Sequence, residues 1–181
     1  MQWRIKQAVT SLNQGGIIAY PTEAVYGLGC NPLDQDAVMR LLKIKQRPWQ
    51  KGLIVIAADF NQLQEFVEPV SAEILQQLNA TWPGPTTWLL PVRCDVPQYL
   101  TGEHDTIAVR VTAHKQTAEL CRAFGGAIIS TSANRAGMKP AKHAFQVRWQ
   151  LPEVDYIMAG ECAGSDRPSE IRHALTGEKR R

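Results

Sequence analysis

The feature that most constrains this chain is a run of five consecutive apolar residues at positions 53–57. The run has the length of a strand, and a strand that is apolar on both faces belongs to a sheet that is covered on both sides. Mainly apolar segments at residues 17–20, 107–111 and 127–130, the last two with one polar residue each, predict further buried strands. Covered strands of this kind are typical of α/β domains.

Segments with helical periodicity alternate with these strands. Apolar residues at positions 5, 8, 9 and 12 predict a first helix, which Gly15-Gly16 ends. Asp34 is the expected N-cap of a second helix, which must end before Pro48. Because some consecutive strands have no helix between them, the sheet is expected to be mixed. The remaining expected elements are helices over 60–67, after the cap Ser71, over 115–124 and over 142–149, and strands over 86–92 and 154–158.

Length and composition limit the class of protein. The 181 residues, of which 44% are hydrophobic, suit one folded domain over residues 1–181. No apolar run approaches the roughly 20 residues that span a bilayer, and the N-terminus has no signal-peptide core. We therefore expect no membrane partner and a cytoplasmic location. The cysteines and histidines match no zinc or disulfide spacing, so we expect no protein-bound structural metal.

Charge is distributed unevenly, although the formal net charge is only +3. Residues 1–134 hold 11 basic and 11 acidic side chains, and residues 135–181 hold nine and six, so the whole excess lies after residue 134. Between Asp36 and Asp59 there are five basic residues and no acidic one. Such local fields suit phosphate or nucleic acid, and they are equally expected of a solvated helix face.

The most unusual polar segment is Ser130-Thr131-Ser132-Ala133-Asn134, directly after an expected strand. Ligands of open α/β sheets bind beyond the carboxyl ends of strands, and hydroxyl and amide groups offer hydrogen bonds without a fixed charge. The alternative is an ordinary Ser- and Asn-rich turn. A second candidate is Lys45-Gln46-Arg47-Pro48 at a helix end. Its cations either complement the helix dipole or converge on one anion, such as phosphate.

Arg110 lies inside the apolar strand 107–111, where an arginine is unfavourable unless it is paired. Either a structural ion pair or a carboxylate ligand would compensate its charge. Gly27-Leu28-Gly29 is not a dinucleotide fingerprint, because Pro32 stands where the third glycine belongs, and the chain has no Walker A loop. If the protein binds ATP, it does so through another architecture.

Six segments, taken together and in this order, resemble the YrdC/TsaC family of threonylcarbamoyl-AMP synthases. They span nearly the whole chain, and its length resembles the single-domain bacterial form. The resemblance implies a YrdC-like, twisted, mixed parallel and antiparallel sheet flanked by helices, with a positively charged concave groove. The segments are Tyr20-Pro-Thr-Glu-Ala-Val-Tyr-Gly-Leu-Gly-Cys30, Lys45-Gln-Arg-Pro48, Trp82-Pro-Gly-Pro85, Ala108-Val-Arg-Val111, Ser130-Thr-Ser-Ala-Asn134 and Pro168-Ser-Glu-Ile-Arg172.

The resemblance also implies an activity. The family condenses L-threonine, bicarbonate and ATP into threonylcarbamoyl-AMP and pyrophosphate, with Mg²⁺ expected to arrive with ATP. The product serves N6-threonylcarbamoyladenosine formation at position 37 of tRNAs that read ANN codons. Expected partners are therefore the three substrates, tRNA and the proteins of the downstream threonylcarbamoyl-transferase complex.

The family's functional residues carry over by position. The implied catalytic residues are Lys45, Arg47, Ser132 and Asn134. The implied threonine contacts are Thr22, Arg110 and Ser169. The implied ATP contacts are Arg47, Lys51, Thr106, Ser130, Ser132, Pro140 and Arg181.

The chain departs from longer relatives at three positions. Lys51 and Gly52 replace an asparagine and a proline, and Ile56 replaces a histidine that contacts threonine. Part of the threonine pocket must therefore be built differently.

Two other functions remain open from the sequence. A non-catalytic module that binds double-stranded RNA or tRNA, or that assists ribosome assembly, would use the basic excess after residue 134. Carbamoyl-phosphate-dependent maturation chemistry is the weaker alternative. It normally comes with zinc-finger and acylphosphatase regions that these residues do not contain.

Overall fold

The computed structural model describes residues 1–165 and 169–180, which form six α-helices and eight strands. The helices are α1 Gln2–Asn13, α2 Gln35–Lys45, α3 Ala72–Thr81, α4 Gln98–Thr101, α5 Lys115–Phe124 and α6 Ala144–Gln150. The strands are β1 Ile18–Pro21, β2 Tyr26–Gly29, β3 Ile54–Ala57, β4 Thr86–Pro91, β5 Thr106–Val111, β6 Ile128–Ser132, β7 Tyr156–Ile157 and β8 Glu170–His173.

The strands form one sheet in the order β7-β1-β2-β6-β3-β5-β4-β8. The pairs β1–β2, β2–β6, β3–β6 and β4–β5 are antiparallel. The pairs β1–β7, β3–β5 and β4–β8 are parallel. The predicted mixed α/β sheet is therefore confirmed. None of the helices in the described part of the chain is long and apolar enough to cross a membrane.

Local side-chain chemistry sets the ends of α2 and the start of α3. The Asp34 carboxylate accepts a hydrogen bond from the Ala37 amide at 3.0 Å, as expected of an N-cap. The helix ends at Lys45 because Gln46 adopts a left-handed conformation, with φ of 53°. Ser71 caps α3, which confirms the second expected cap.

Side chains alternate along each strand, so the sheet separates two cores. Val55 and Ala57 of β3 face the larger core, which α2 covers together with other helices. Ile56 points the other way, into a smaller core beneath α1 and α5. Those two helices cover only part of this second face. The uncovered part holds the residues of β5 and β6 that build the site described below.

The structure differs from the expected elements in several places. Residues 60–67 form a short 3-10 turn at Asn61–Leu63 instead of a helix. β6 extends to Ser132, so Thr131 and Ser132 lie within the strand, which was expected to end at Ser130. β2, α4 and β8 were not expected. β2 contains glycines, which disfavour strands, yet a Cβ on Gly29 would lie 2.1 Å from the Ile129 carbonyl oxygen, so the close approach of β2 to β6 requires glycine.

Candidate active site

A cavity of about 430 Å³ lies over the uncovered part of the sheet. Its floor includes Thr106, Ala108 and Arg110 of β5 and Ser130 and Ser132 of β6. These are alternate residues of their strands, so they share one face. Most of them are small or carry hydroxyl groups, which leaves room above the sheet and provides hydrogen-bonding groups.

The cavity brings together nine predicted site residues that are far apart in the sequence. Two other predicted residues, Lys45 and Asn134, are not among the described residues that line it. Arg181, a predicted ATP contact, and Pro168 of the last family segment lie outside the described residues. The predicted site residues that do line the cavity are Thr22, Arg47, Lys51, Thr106, Arg110, Ser130, Ser132, Pro140 and Ser169.

The turn after β1 presents Thr22 to the cavity. The Thr22 hydroxyl donates a hydrogen bond to the Val25 carbonyl at 2.7 Å, which closes the turn. The turn is also fastened from outside, because the Ala163 amide donates to the Thr22 carbonyl at 3.1 Å. Across the cavity, the Ser169 hydroxyl accepts a hydrogen bond from Thr87 at 3.2 Å. Thr22 and Ser169, two of the three predicted threonine contacts, are therefore held in place by hydrogen bonds.

Arg110 forms a buried ion pair with Glu23, with 3.4 Å between Nη2 and Oε2 and side chains only 8% and 9% exposed. The other carboxylate oxygen accepts hydrogen bonds from the Thr112 hydroxyl at 2.7 Å and the Ala113 amide at 3.1 Å. Burial by itself raises the pKa of Glu23, but the charge of Arg110 and these hydrogen bonds outweigh it and hold the pKa below its ordinary value. Glu23 is therefore ionised at neutral pH.

The two interpretations of Arg110 from the sequence are compatible. Its charge is compensated by an ion pair, and the same side chain lines the cavity, where it can meet a ligand carboxylate. Sequence reasoning assigned no role to Glu23. Two signals could have found it: a buried arginine requires an acidic partner, and Glu23 directly follows Thr22 in the first family segment.

Lys45 is buried, and its side chain turns toward the end of β6. Nζ donates hydrogen bonds to the carbonyl oxygens of Ser132 and Asn134, the latter at 2.9 Å. The Lys45 carbonyl in turn accepts from the Ala136 amide at 2.8 Å. Burial and, secondly, the nearby charge of Arg47 lower the pKa of Lys45 to about 8.

The side chain of Asn134 continues this network. Its Oδ1 accepts a hydrogen bond from the Ser132 hydroxyl at 2.5 Å. Its Nδ2 donates to the carbonyl oxygens of Arg135 and Met138, both at 2.7 Å. The amide therefore links the hydroxyl at the cavity wall to the loop that follows β6.

Arg47 directly follows Gln46, the left-handed residue that ends α2, and it lines the cavity. Its Nη2 donates to the Gly52 carbonyl at 2.9 Å, which fixes the guanidinium beside the 3-10 turn Trp49–Lys51. Cations outnumber carboxylates in the described lining, so the site suits an anionic ligand. The lining cations are Arg47, Lys51, Arg110 and Arg180, and the lining carboxylate is Glu23.

Sequence reasoning missed three lining residues with carboxylate, imidazole or guanidinium groups: Glu23, His104 and Arg180. His104 and Arg180 lie outside the six family segments, and the sequence marked Arg180 only as part of the basic excess after residue 134. Ile56, which stands where longer relatives have a histidine, is fully buried in the smaller core. No group of three or more potential metal-ligating side chains occurs in the described parts of the chain.

The family model described as "Telomere recombination", which unites Sua5, YciO and YrdC, matches residues 10–181. The chain belongs to the Sua5/YciO/YrdC family. The resemblance stated from the six segments is thereby confirmed.

Family members with similar sequences share a name. A protein of Nitrosococcus oceani named threonylcarbamoyl-AMP synthase is 51% identical over 180 residues, which cover 99% of this chain and 97% of that protein. A protein of the same name from Halorhodospira halophila is 47% identical over 176 residues, which cover 97% of this chain and 92% of that protein.

Solved structures of the family share the fold. P. abyssi Sua5, determined in complex with L-threonine, superposes with a TM-score of 0.89 at 33% identity. The match covers 96% of this chain and 51% of Sua5, so the chain spans about half the length of that protein. The α/β fold expected from the sequence is therefore that of a family member with threonine bound.

Proposed function

We propose that this chain is an L-threonylcarbamoyladenylate synthase. It condenses L-threonine, bicarbonate or CO2, and ATP into threonylcarbamoyl-AMP and pyrophosphate. The observation that carries the proposal is the cavity, which gathers Thr22, Arg110 and Ser169 with the cations Arg47 and Lys51. Relatives that match nearly the whole chain bear the name of this activity.

The threonine end of the cavity would be built around Arg110. Its guanidinium can bind the threonine carboxylate through a charge-assisted contact, while the ion pair with Glu23 holds the guanidinium in place. The hydroxyl oxygens of Thr22 and Ser169 can accept hydrogen bonds from the amine and hydroxyl groups of threonine. The proposed reaction requires that the amine of threonine face the ATP end of the site.

The proposed reaction needs no protein nucleophile. The neutral threonine amine attacks the carbon of CO2 and loses a proton, which gives N-carboxythreonine. An oxygen of this carbamate then attacks the α-phosphorus of ATP, and the bond to pyrophosphate breaks. The protein contributes positioning and stabilisation of the negative charge that develops on the phosphates.

The ATP end would be formed by Arg47 and Lys51 together with the hydroxyl groups of Thr106, Ser130 and Ser132. Arginine offers a planar fork for phosphate oxygens, and lysine a mobile charge. Pro140 lines the same end and would pack against the nucleotide, while the predicted contact by Arg181 and the catalytic roles of Lys45 and Asn134 stay predictions.

Mg²⁺ would enter as the Mg²⁺ complex of ATP. Glu23 is the carboxylate in the described lining, and both of its oxygens face Arg110, Thr112 and Ala113. The site therefore offers no ready carboxylate for a cation, and phosphate oxygens and water would hold the ion, as is usual for Mg²⁺.

The proposed activity also implies partners and a location. The product is an activated carbamate that a threonylcarbamoyl-transferase complex would transfer to tRNA, so the chain would act in the cytoplasm. Residues 1–181 would act as one domain. A direct contact with tRNA is part of the same proposal.

The proposal is tested by measuring pyrophosphate release from ATP with purified protein. Release is expected with threonine and bicarbonate together, and near-background release when either is omitted. Turnover that does not depend on threonine would contradict the proposal. A non-catalytic RNA-binding module would release no pyrophosphate in any mixture.

A further inference from the structure

Lys45 stands in a family motif with Arg47, yet the two side chains have different surroundings. Arg47 lines the cavity, whereas Lys45 is 4% exposed and lies outside the described lining. Its ammonium donates to two backbone carbonyls at the end of β6. One of these belongs to Ser132, whose side chain does line the cavity.

We infer that Lys45 is a positioning residue that holds the carboxyl end of β6 and acts on the nucleotide through Ser132, without touching the triphosphate. The inference rests on the proposed function for the identity of the ligand. The geometry itself comes from the hydrogen bonds that join α2 to residues 132–136.

These hydrogen bonds fix the segment from several directions. Besides the two Lys45 contacts, the Arg135 guanidinium donates to the Ile44 carbonyl at 3.0 Å, and the Ala136 amide donates to the Lys45 carbonyl at 2.8 Å. The end of α2 and the segment after β6 therefore form one unit. The Ser132 hydroxyl lies at the edge of this unit. Its direction is fixed because it donates a hydrogen bond to Asn134 Oδ1.

A direct phosphate contact by Lys45 would disturb this arrangement. Moving Nζ to the cavity would leave buried carbonyl oxygens of Ser132 and Asn134 without their donor, and an unsatisfied buried acceptor is unfavourable. An ammonium has three N–H donors, and two of them serve these carbonyls. Since a neutral amine still has two N–H groups, the positioning role does not require the charge.

A double-mutant cycle on ATP binding tests the inference. Calorimetry is performed on the wild type, Lys45→Met, Ser132→Ala and the double variant. Lys45→Met is expected to weaken ATP binding about tenfold in the wild-type background and less than about threefold when Ser132 is already alanine. A tenfold loss in both backgrounds would show that Lys45 contacts ATP independently and would overturn the inference.

Threonine binding provides a second readout. Lys45→Met should change threonine affinity less than about twofold, because the network ends at Ser132 and does not reach Arg110. An equal loss of threonine and ATP affinity would indicate general loosening of the fold and would also contradict a specific role. Lys43→Met, an exposed lysine on the same helix, is the matched control and should leave both affinities unchanged.

Lys45→Gln keeps two N–H donors without a charge and covers the case in which Lys45→Met fails to fold. It should retain ATP affinity within about threefold of the wild type. A tenfold loss in folded Lys45→Gln would assign the role to the charge and overturn the inference. Failure of the wild type to bind ATP at all would instead overturn the proposed function, on which the inference depends.

Discussion

The fold buries two cations in different ways. Arg110 sits in a central strand, is paired with the carboxylate of Glu23 and reaches the cavity. Lys45 ends a helix, is paired with neutral carbonyl groups and lies outside the described cavity lining. Both are more than nine-tenths buried. The comparison separates a cation whose charge is available to a ligand from one whose hydrogen bonds hold backbone in place.

The chemistry of the two side chains explains the difference. A guanidinium stays charged at all relevant pH values, so its burial requires a carboxylate nearby. A lysine can respond to burial by losing its proton more easily, and the pKa of Lys45 is lowered to about 8. Arginine therefore suits the ligand site and lysine suits the support behind it.

The largest effect is expected for Arg110→Ala, which removes the buried cation that is paired with a carboxylate. Threonine affinity should fall about ten- to a hundredfold, and ATP affinity much less, because one charge-assisted contact is lost. The unpaired Glu23 should also lower the free energy of unfolding by about 3–5 kcal/mol.

A double variant separates these two effects. Arg110→Met combined with Glu23→Gln removes both charges, so stability should largely recover while threonine affinity stays low. Calorimetry and thermal unfolding check both parts. Unchanged threonine affinity in a folded Arg110 variant would reassign Arg110 to a purely structural ion pair.

Lys45, which is paired with neutral carbonyl groups, predicts a pH dependence of stability. Because the folded pKa of Lys45 is about 8 and the unfolded value is 10.5, the unfolded state binds more protons between these values. The free energy of unfolding contributed by Lys45 therefore rises with pH through this window, by about 2 kcal/mol from roughly pH 7.5 to 9.5. Well below pH 8 the penalty for burying the charge is fully present.

Lys45→Met isolates this contribution, because it removes the titrating group. Denaturant unfolding of both proteins at the two pH values gives the difference in stability, which should shift in favour of the wild type as pH rises. Parallel pH curves for the wild type and the variant would contradict a lowered pKa.

Arg47 sharpens the comparison, because it is two residues from Lys45 yet lines the cavity. Arg47→Ala should lower pyrophosphate release about tenfold at saturating threonine. Arg47→Lys should not restore full activity, since a point charge cannot replace the guanidinium fork. Steady-state rates check both variants.

The control for Arg47 must be chosen from the structure. Arg40 is exposed but forms an ion pair with Asp155, so replacing it would also leave Asp155 without its partner. Lys43 is exposed, and Lys43→Ala should change the rate less than threefold. Equal losses in Arg47→Ala and Lys43→Ala would favour a diffuse positive field over a specific site.

The sequence determined the elements whose signals are local. The apolar runs predicted the buried strands, and Asp34 and Ser71 predicted the starts of α2 and α3. Residues 115–124 form α5 as expected. Motifs in a fixed order also determined the family. Strands and helix caps depend on neighbouring residues, and the family is identified from short segments of the sequence. Both can therefore be predicted without knowing how the chain packs.

Only the tertiary structure decided which motif residues share the cavity. Within the Lys45–Arg47 motif, the left-handed Gln46 sends the two side chains to different surroundings. The pairing of Arg110 with Glu23 joins a turn after β1 to a strand about 90 residues later, which depends on the strand order of the sheet. The cavity itself exists because α1 and α5 cover only part of one sheet face. Long-range packing of this kind leaves no mark on local sequence, so residue types could indicate the chemistry but not the positions at which it is performed.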